Sequence, residues 1–188
     1  MAAGATKEDE FHQPEEYLDE ILKFFQFCHN KIEFEDTPES VKERYKQKGN
    51  QHYLDKFNID SGYLIENGLL TKSEAVELKE ILQKYIDKRA FQHHDVVPWH
   101  MAKNKGTGEI TLVDPQWGDW SLWAYDITYY ILQMVVYSKR VEDAKKIYKK
   151  VKKEYSDKEN FDELLHCSFA YRGIRLAAEL DRQDVESK

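Results

Sequence analysis

The sequence predicts an α+β fold, predominantly α-helical, with one small β-hairpin placed mid-chain. Three observations predict it. Apolar residues recur at helical spacing along most of the chain. One stretch of strong turn chemistry, Lys103-Asn104-Lys105-Gly106-Thr107-Gly108, stands before a β-branched alternating run. No internal repeat or low-complexity segment interrupts the pattern.

The elements follow in order. Pro14 suits a helix start through its fixed φ and missing N–H, and Tyr17, Leu18, Ile21, Leu22, Phe24, Phe25 and Cys28 carry a helix over 14–31. Thr37-Pro38 is a second start, with Glu39 favourable in the first turn. Its thin apolar stripe (Val41, Tyr45, Tyr53) predicts a surface helix to about Phe57, and 58–68 reads as a short irregular helix and turn. Thr71-Lys72-Ser73-Glu74 is a capping box opening a helix to about Lys88. Ala90-Phe91-Gln92 is too short to classify. Glu109-Ile110-Thr111-Leu112-Val113 reads as a strand, so 101–113 is expected to be a hairpin and 115–121 a loop. A buried helix is expected over 122–137, a basic one over 139–155, and a last one from Ser156-Asp157 to about Arg182.

At 188 residues the chain suits one domain and can bury a core without covalent staples. Its net charge of −7 argues against a general nucleic-acid or anionic-membrane binder, since both need a cationic face. The lysines of 139–153 ride above Val141, Ala144, Ile147 and Val151, which reads as a solvated helix face. The apolar stretch 122–137 is short for a bilayer span and contains Asp126. Cys28 and Cys167, the only cysteines, are expected as small core residues in a reducing, cytoplasmic setting.

Chemistry concentrates in His93-His94-Asp95-Val96-Val97-Pro98-Trp99-His100 and in Asp114, on either side of the expected hairpin. A hairpin returns the chain to its start, so Asp114 is expected beside Asp95 and His100. Two carboxylates and a histidine at one end of a small sheet could hold a hard metal ion near a proton acceptor. Proline at 98 disfavours a helix here, and a loop carboxylate is free to point into a cleft. Trp99, Trp117, Trp120 and Trp123 fall nearby, either as core or as an apolar, stacking substrate surface.

The pattern resembles the aminoglycoside phosphotransferase and choline-kinase-like family, a branch of the protein-kinase-like fold. His93, Asp95 and Pro98 match its H-G-D-x-x-x-x-N element, with His94 in place of glycine and His100 in place of asparagine. Val113-Asp114 matches its metal-binding element, and Ala124-Tyr125-Asp126 its downstream A-Y-D. The resemblance implies a kinase-like C-lobe over 13–182, with a flexible N-terminal tail at 1–12 and a C-terminal tail at 183–188. It implies an ATP-dependent phosphotransferase acting on a small-molecule hydroxyl, with Asp95 as catalytic base. Asp114 and position 100 would bind Mg²⁺, and His93 and Asp126 would support the catalytic loop.

His100 offers a nitrogen where Mg²⁺ prefers oxygen, so the second metal site is expected to be lost or tuned to Mn²⁺. The stretch 115–123 lacks the family's usual G-D-P. Nothing before His93 supplies the glycine-rich strand-turn or paired lysine of an N-lobe. The expectation is therefore an absent N-lobe, which a separate chain would carry, with little turnover for this chain alone. Two other readings stand beside it: a non-catalytic kinase-like binding module, and a His-Asp metal phosphohydrolase built on His94-Asp95 with His52.

Overall fold

The computed structural model describes residues 14–97, 101–103, 110–112, 118–137 and 139–186. Their elements are α1 Pro14–Lys31, a 3-10 turn Phe34–Asp36, α2 Glu39–Glu66, α3 Lys72–Tyr85, β1 Arg89–Gln92, β2 Met101–Lys103, β3 Ile110–Leu112, β4 Asp119–Leu122, α4 Tyr125–Val136, α5 Val141–Glu154 and α6 Phe161–Glu186. The fold is predominantly helical, with two antiparallel ribbons among the described residues.

Two apolar cores share α6. In the first, Leu18, Ile21 and Phe25 of α1 meet Ala90, Trp123, Ile127, Met134, Ile147 and Leu165. In the second, Tyr53, Phe57 and Leu64 of α2 and Leu82 of α3 close on Tyr171 and Ile174. Each fully buried Leu or Phe contributes about 1.5–3 kcal/mol, so these cores hold the scaffold that positions the loops. Cys28 and Cys167 are buried free thiols, each raised by burial, Cys167 to about 12. The lysines of α5 lie outside while Ala144, Ile147 and Val151 lie beneath. The Thr71–Glu74 capping box forms, with Thr71 Oγ1 accepting the Glu74 N–H at 3.2 Å. Among the described residues no helix is long and apolar enough to cross a membrane.

Three expectations need correction. The second helix does not end near Phe57 on the surface; it continues to Glu66 and buries Tyr53, Phe57, Asp60, Ser61 and Leu64. Asp60 is what concealed this. It reads as a solvent position, yet Arg182 pairs with it at 2.9 Å from α6. The helix bends at Gly49, whose φ of 49° and ψ of −171° suit a residue without Cβ. The chain turns away past Glu66 through Gly68, φ 71°, where the Leu69 N–H reaches the Leu64 carbonyl at 2.9 Å.

The stretch 119–122 is a strand and not part of a loop or helix. β4 pairs with β1, Arg89 facing Leu122 and Gln92 facing Asp119, and α4 begins only at Tyr125. Its inward residues include Asp119 and Ser121, 1% and 0% exposed, so polar side chains hid the strand. Each is satisfied locally: Lys48 and Arg44 pair with Asp119, and Tyr53 donates to Ser121 Oγ at 3.0 Å. Last, α6 begins at Phe161, after a run of turns from Ser156, and continues past Arg182 to Glu186. The two arms of the expected hairpin pair as β2 and β3, Met101 facing Leu112 and Lys103 facing Ile110, and its turn at 104–109 lies outside the described residues.

Candidate active site

The site grows from the end of β1. Gln92 is fully buried, and its Nε2 donates to the Trp123 carbonyl at 2.9 Å and to His29 Nε2 at 3.0 Å. Because an amide nitrogen only donates, His29 Nε2 accepts, which leaves Nδ1–H to donate to Tyr155 Oη at 3.0 Å. That neutral tautomer agrees with burial pushing the imidazole down to about 3. Gln92 Oε1 in turn accepts the Asp126 N–H at 2.9 Å, joining the strand to the first turn of α4.

Asp126, 1% exposed, then holds the following loop. One of its carboxylate oxygens accepts the His93 N–H at 2.5 Å and the other the His94 N–H at 2.9 Å. Burial drives this carboxyl up to about 7; the two amides pull it down, and the Asp95 charge adds to the rise. The His93 ring is buried with its edge toward Phe24, ring centroids 6.1 Å apart. His94 adopts φ 70°, a region that glycine takes freely and other residues seldom do. Its ring lies on Tyr125 at 4.5 Å, and burial lowers its imidazole to about 3.

The clamp presents Asp95, half-buried, in the loop after β1. The Tyr129 hydroxyl donates to Asp95 Oδ1 at 3.5 Å, a long bond one helical turn beyond Asp126. Tyr125 stacks on Tyr129 at 6.3 Å, and the Arg172 guanidinium of α6 lies 4.7 Å over the Tyr129 ring. His93, Asp95 and Asp126 are thus brought together. His100 and Asp114 lie outside the described residues, as do Pro98, Trp99 and Trp117. Trp123 is a core residue, and Trp120 packs on Phe34 at 5.4 Å. His52 sits on α2 against Tyr53, while His94 and Asp95 lie in a loop and not on a helix.

Sequence reasoning missed Gln92, Tyr129 and Arg172. Tyr129 was findable: it falls three residues after Asp126, on the same helical face. Gln92 and Arg172 carry no comparable local signal. Among the described residues no group of three or more His, Cys, Asp or Glu could hold a metal ion. Comparison of the chain with protein-family models, with curated proteins and with solved structures gives no match.

Proposed function

We propose that this chain carries the catalytic-loop half of a cytoplasmic, ATP-dependent phosphotransferase whose acceptor is a small-molecule hydroxyl. The observation that supports it most is the Asp126 clamp. One buried carboxylate takes two successive backbone amides, so the next residue, Asp95, is presented from a loop of fixed geometry. A base needs that kind of placement more than it needs an unusual pKa, because positioning supplies much of phosphoryl-transfer catalysis. In this reading Asp95 accepts or orients the acceptor's proton. Tyr129 keeps the carboxylate directed, and Asp126 positions the loop without touching substrate. Asp114 and His100 would be the metal-holding residues, with Mg²⁺ or Mn²⁺ neutralising nucleotide phosphate charge when bound.

The observations favour this over a His-Asp phosphohydrolase, whose paired residues need a helical frame. Here residue 94 has φ 70°. The test is paramagnetic relaxation with Mn²⁺ and ATP, read on backbone amide signals of the whole chain. Signals of residues 93–95 and 126 are expected to broaden, and Asp114→Ala to abolish the effect. Unbroadened signals at saturating Mn²⁺–ATP would remove the phosphotransferase reading.

A further inference from the structure

We infer that the region beside Asp95 takes a ligand bearing an oxyanion, carboxylate or phosphate, held by Arg172 and Arg175 of α6. This names the acceptor class of the proposed phosphotransferase and rests on that reading only for what Asp95 does.

Around the site, five cationic side chains share three carboxylates. Arg44 and Lys48 both pair with Asp119, Arg172 and Arg175 both with Glu179, and Arg175 and Arg182 both with Asp60. Several of these contacts are loose. Arg172 Nη1 reaches Glu179 at 3.4 Å and Arg175 Nη2 at 3.3 Å, while Arg175 Nε stands 3.9 Å from Asp60, beyond hydrogen-bond reach. Arg172 is 8% exposed, and its Nε is enclosed without an acceptor, as is that of Arg175. A guanidinium carries five donors, and buried donors are normally satisfied. Arg175 Nη1 also donates to Tyr171 Oη at 3.1 Å, so the open donors are the two Nε groups, and a planar or tetrahedral oxyanion is an acceptor that a guanidinium fork matches.

Arg172 borders the reactive loop, and Arg175 shares Glu179 with it. Arg172 lies over Tyr129, whose hydroxyl meets Asp95, and His94, Tyr125 and Tyr129 form a continuous aromatic shelf between them. Tyr129 therefore spaces two functions. A ligand hydroxyl would lie at its phenol end beside Asp95, and the oxyanion at the Arg172 guanidinium.

The test follows the arginine Nε–Hε resonances of the whole chain by NMR, without nucleotide or metal. The probes are inorganic phosphate, glycerol 3-phosphate and glycerate, with glycerol and choline as controls at equal ionic strength. The three anions are expected to shift the Arg172 and Arg175 resonances saturably, and the controls to leave them in place. Glycerate against glycerol 3-phosphate separates a carboxylate ligand from a phosphate one. Arg172→Gln is expected to weaken binding at least tenfold, with partial retention in Arg172→Lys. Should Arg172→Gln fail to fold, the wild-type resonances and the lysine variant still decide. Choline binding in place of the anions, or anion binding that survives both Arg172→Gln and Arg175→Gln, would overturn the inference. Failure of the Mn²⁺–ATP experiment with anion binding intact would remove the phosphotransferase and leave the oxyanion site.

Discussion

Replacing Asp126 with alanine separates a buried clamp from an ordinary acidic residue at a helix start. An exposed aspartate in the first turn of a helix contributes about 0.3–1 kcal/mol through the helix dipole. Asp126 is 1% exposed and accepts the His93 and His94 amides at 2.5 and 2.9 Å. Removing it leaves two enclosed N–H groups without an acceptor, each costing about 1–3 kcal/mol. The expected loss is thus about 2–6 kcal/mol. For a chain of 188 residues this lowers the melting temperature by roughly 5–20 °C, at about 2–4 °C per kcal/mol. Thermal unfolding followed by circular dichroism at pH 6 gives the stability, and amide exchange at His93 and His94 gives the location. A loss below about 1 kcal/mol, with exchange at both amides unchanged, would refute the clamp and return Asp126 to the role of a helix-dipole partner.

The same carboxyl sets a pH dependence. Its folded value is raised from 3.8 to about 7, so the native state binds the extra proton. Its contribution is fully present in acid and is lost as pH rises through that window. Urea midpoints from pH 4 to 8 should therefore show the gap between wild type and Asp126→Ala narrowing toward pH 8; a widening gap contradicts the sign. Leu82→Ala empties a fully buried position between α2, α3 and α6 and should cost about 2–5 kcal/mol in denaturant unfolding. Thr71→Ala breaks the capping box and should cost about 1 kcal/mol, with Glu74→Ala adding little in the double variant. Gly49→Ala forces a Cβ into φ 49° and should cost about 1–3 kcal/mol although nothing lies within 4 Å of the added atom; an unchanged midpoint would mean that the bend relaxes.

Periodicity located the helices well because their apolar faces are wide. The helix from Pro14 to Lys31 and the box at Thr71 are local signals, and the structure carries both. The paired strands β2 and β3 were legible from their turn and alternation. What escaped is polar and buried. Asp60, Asp119 and Ser121 read as solvent residues, yet partners distant in sequence neutralise them: Arg182, Lys48 and Tyr53. A single chain shows nothing of such pairings. At the site, His93, Asp95 and Asp126 were singled out together and lie together, whereas Gln92 and Arg172 join them only through packing.

The pairing of β1 with β4 has a consequence for how this region could change. Because Gln92 stands opposite Asp119, the chain leaves this ribbon and returns to it at one paired position. A segment tethered in that way can lengthen or alter its composition while the body keeps its packing. Closing a loop of twice the length costs only about 0.6 kcal/mol more. His93 to Val97 are excepted, because Asp126 holds the His93 and His94 amides and Val96 and Val97 are fully buried, so the stretch bearing Asp95 changes only with the bundle that carries it.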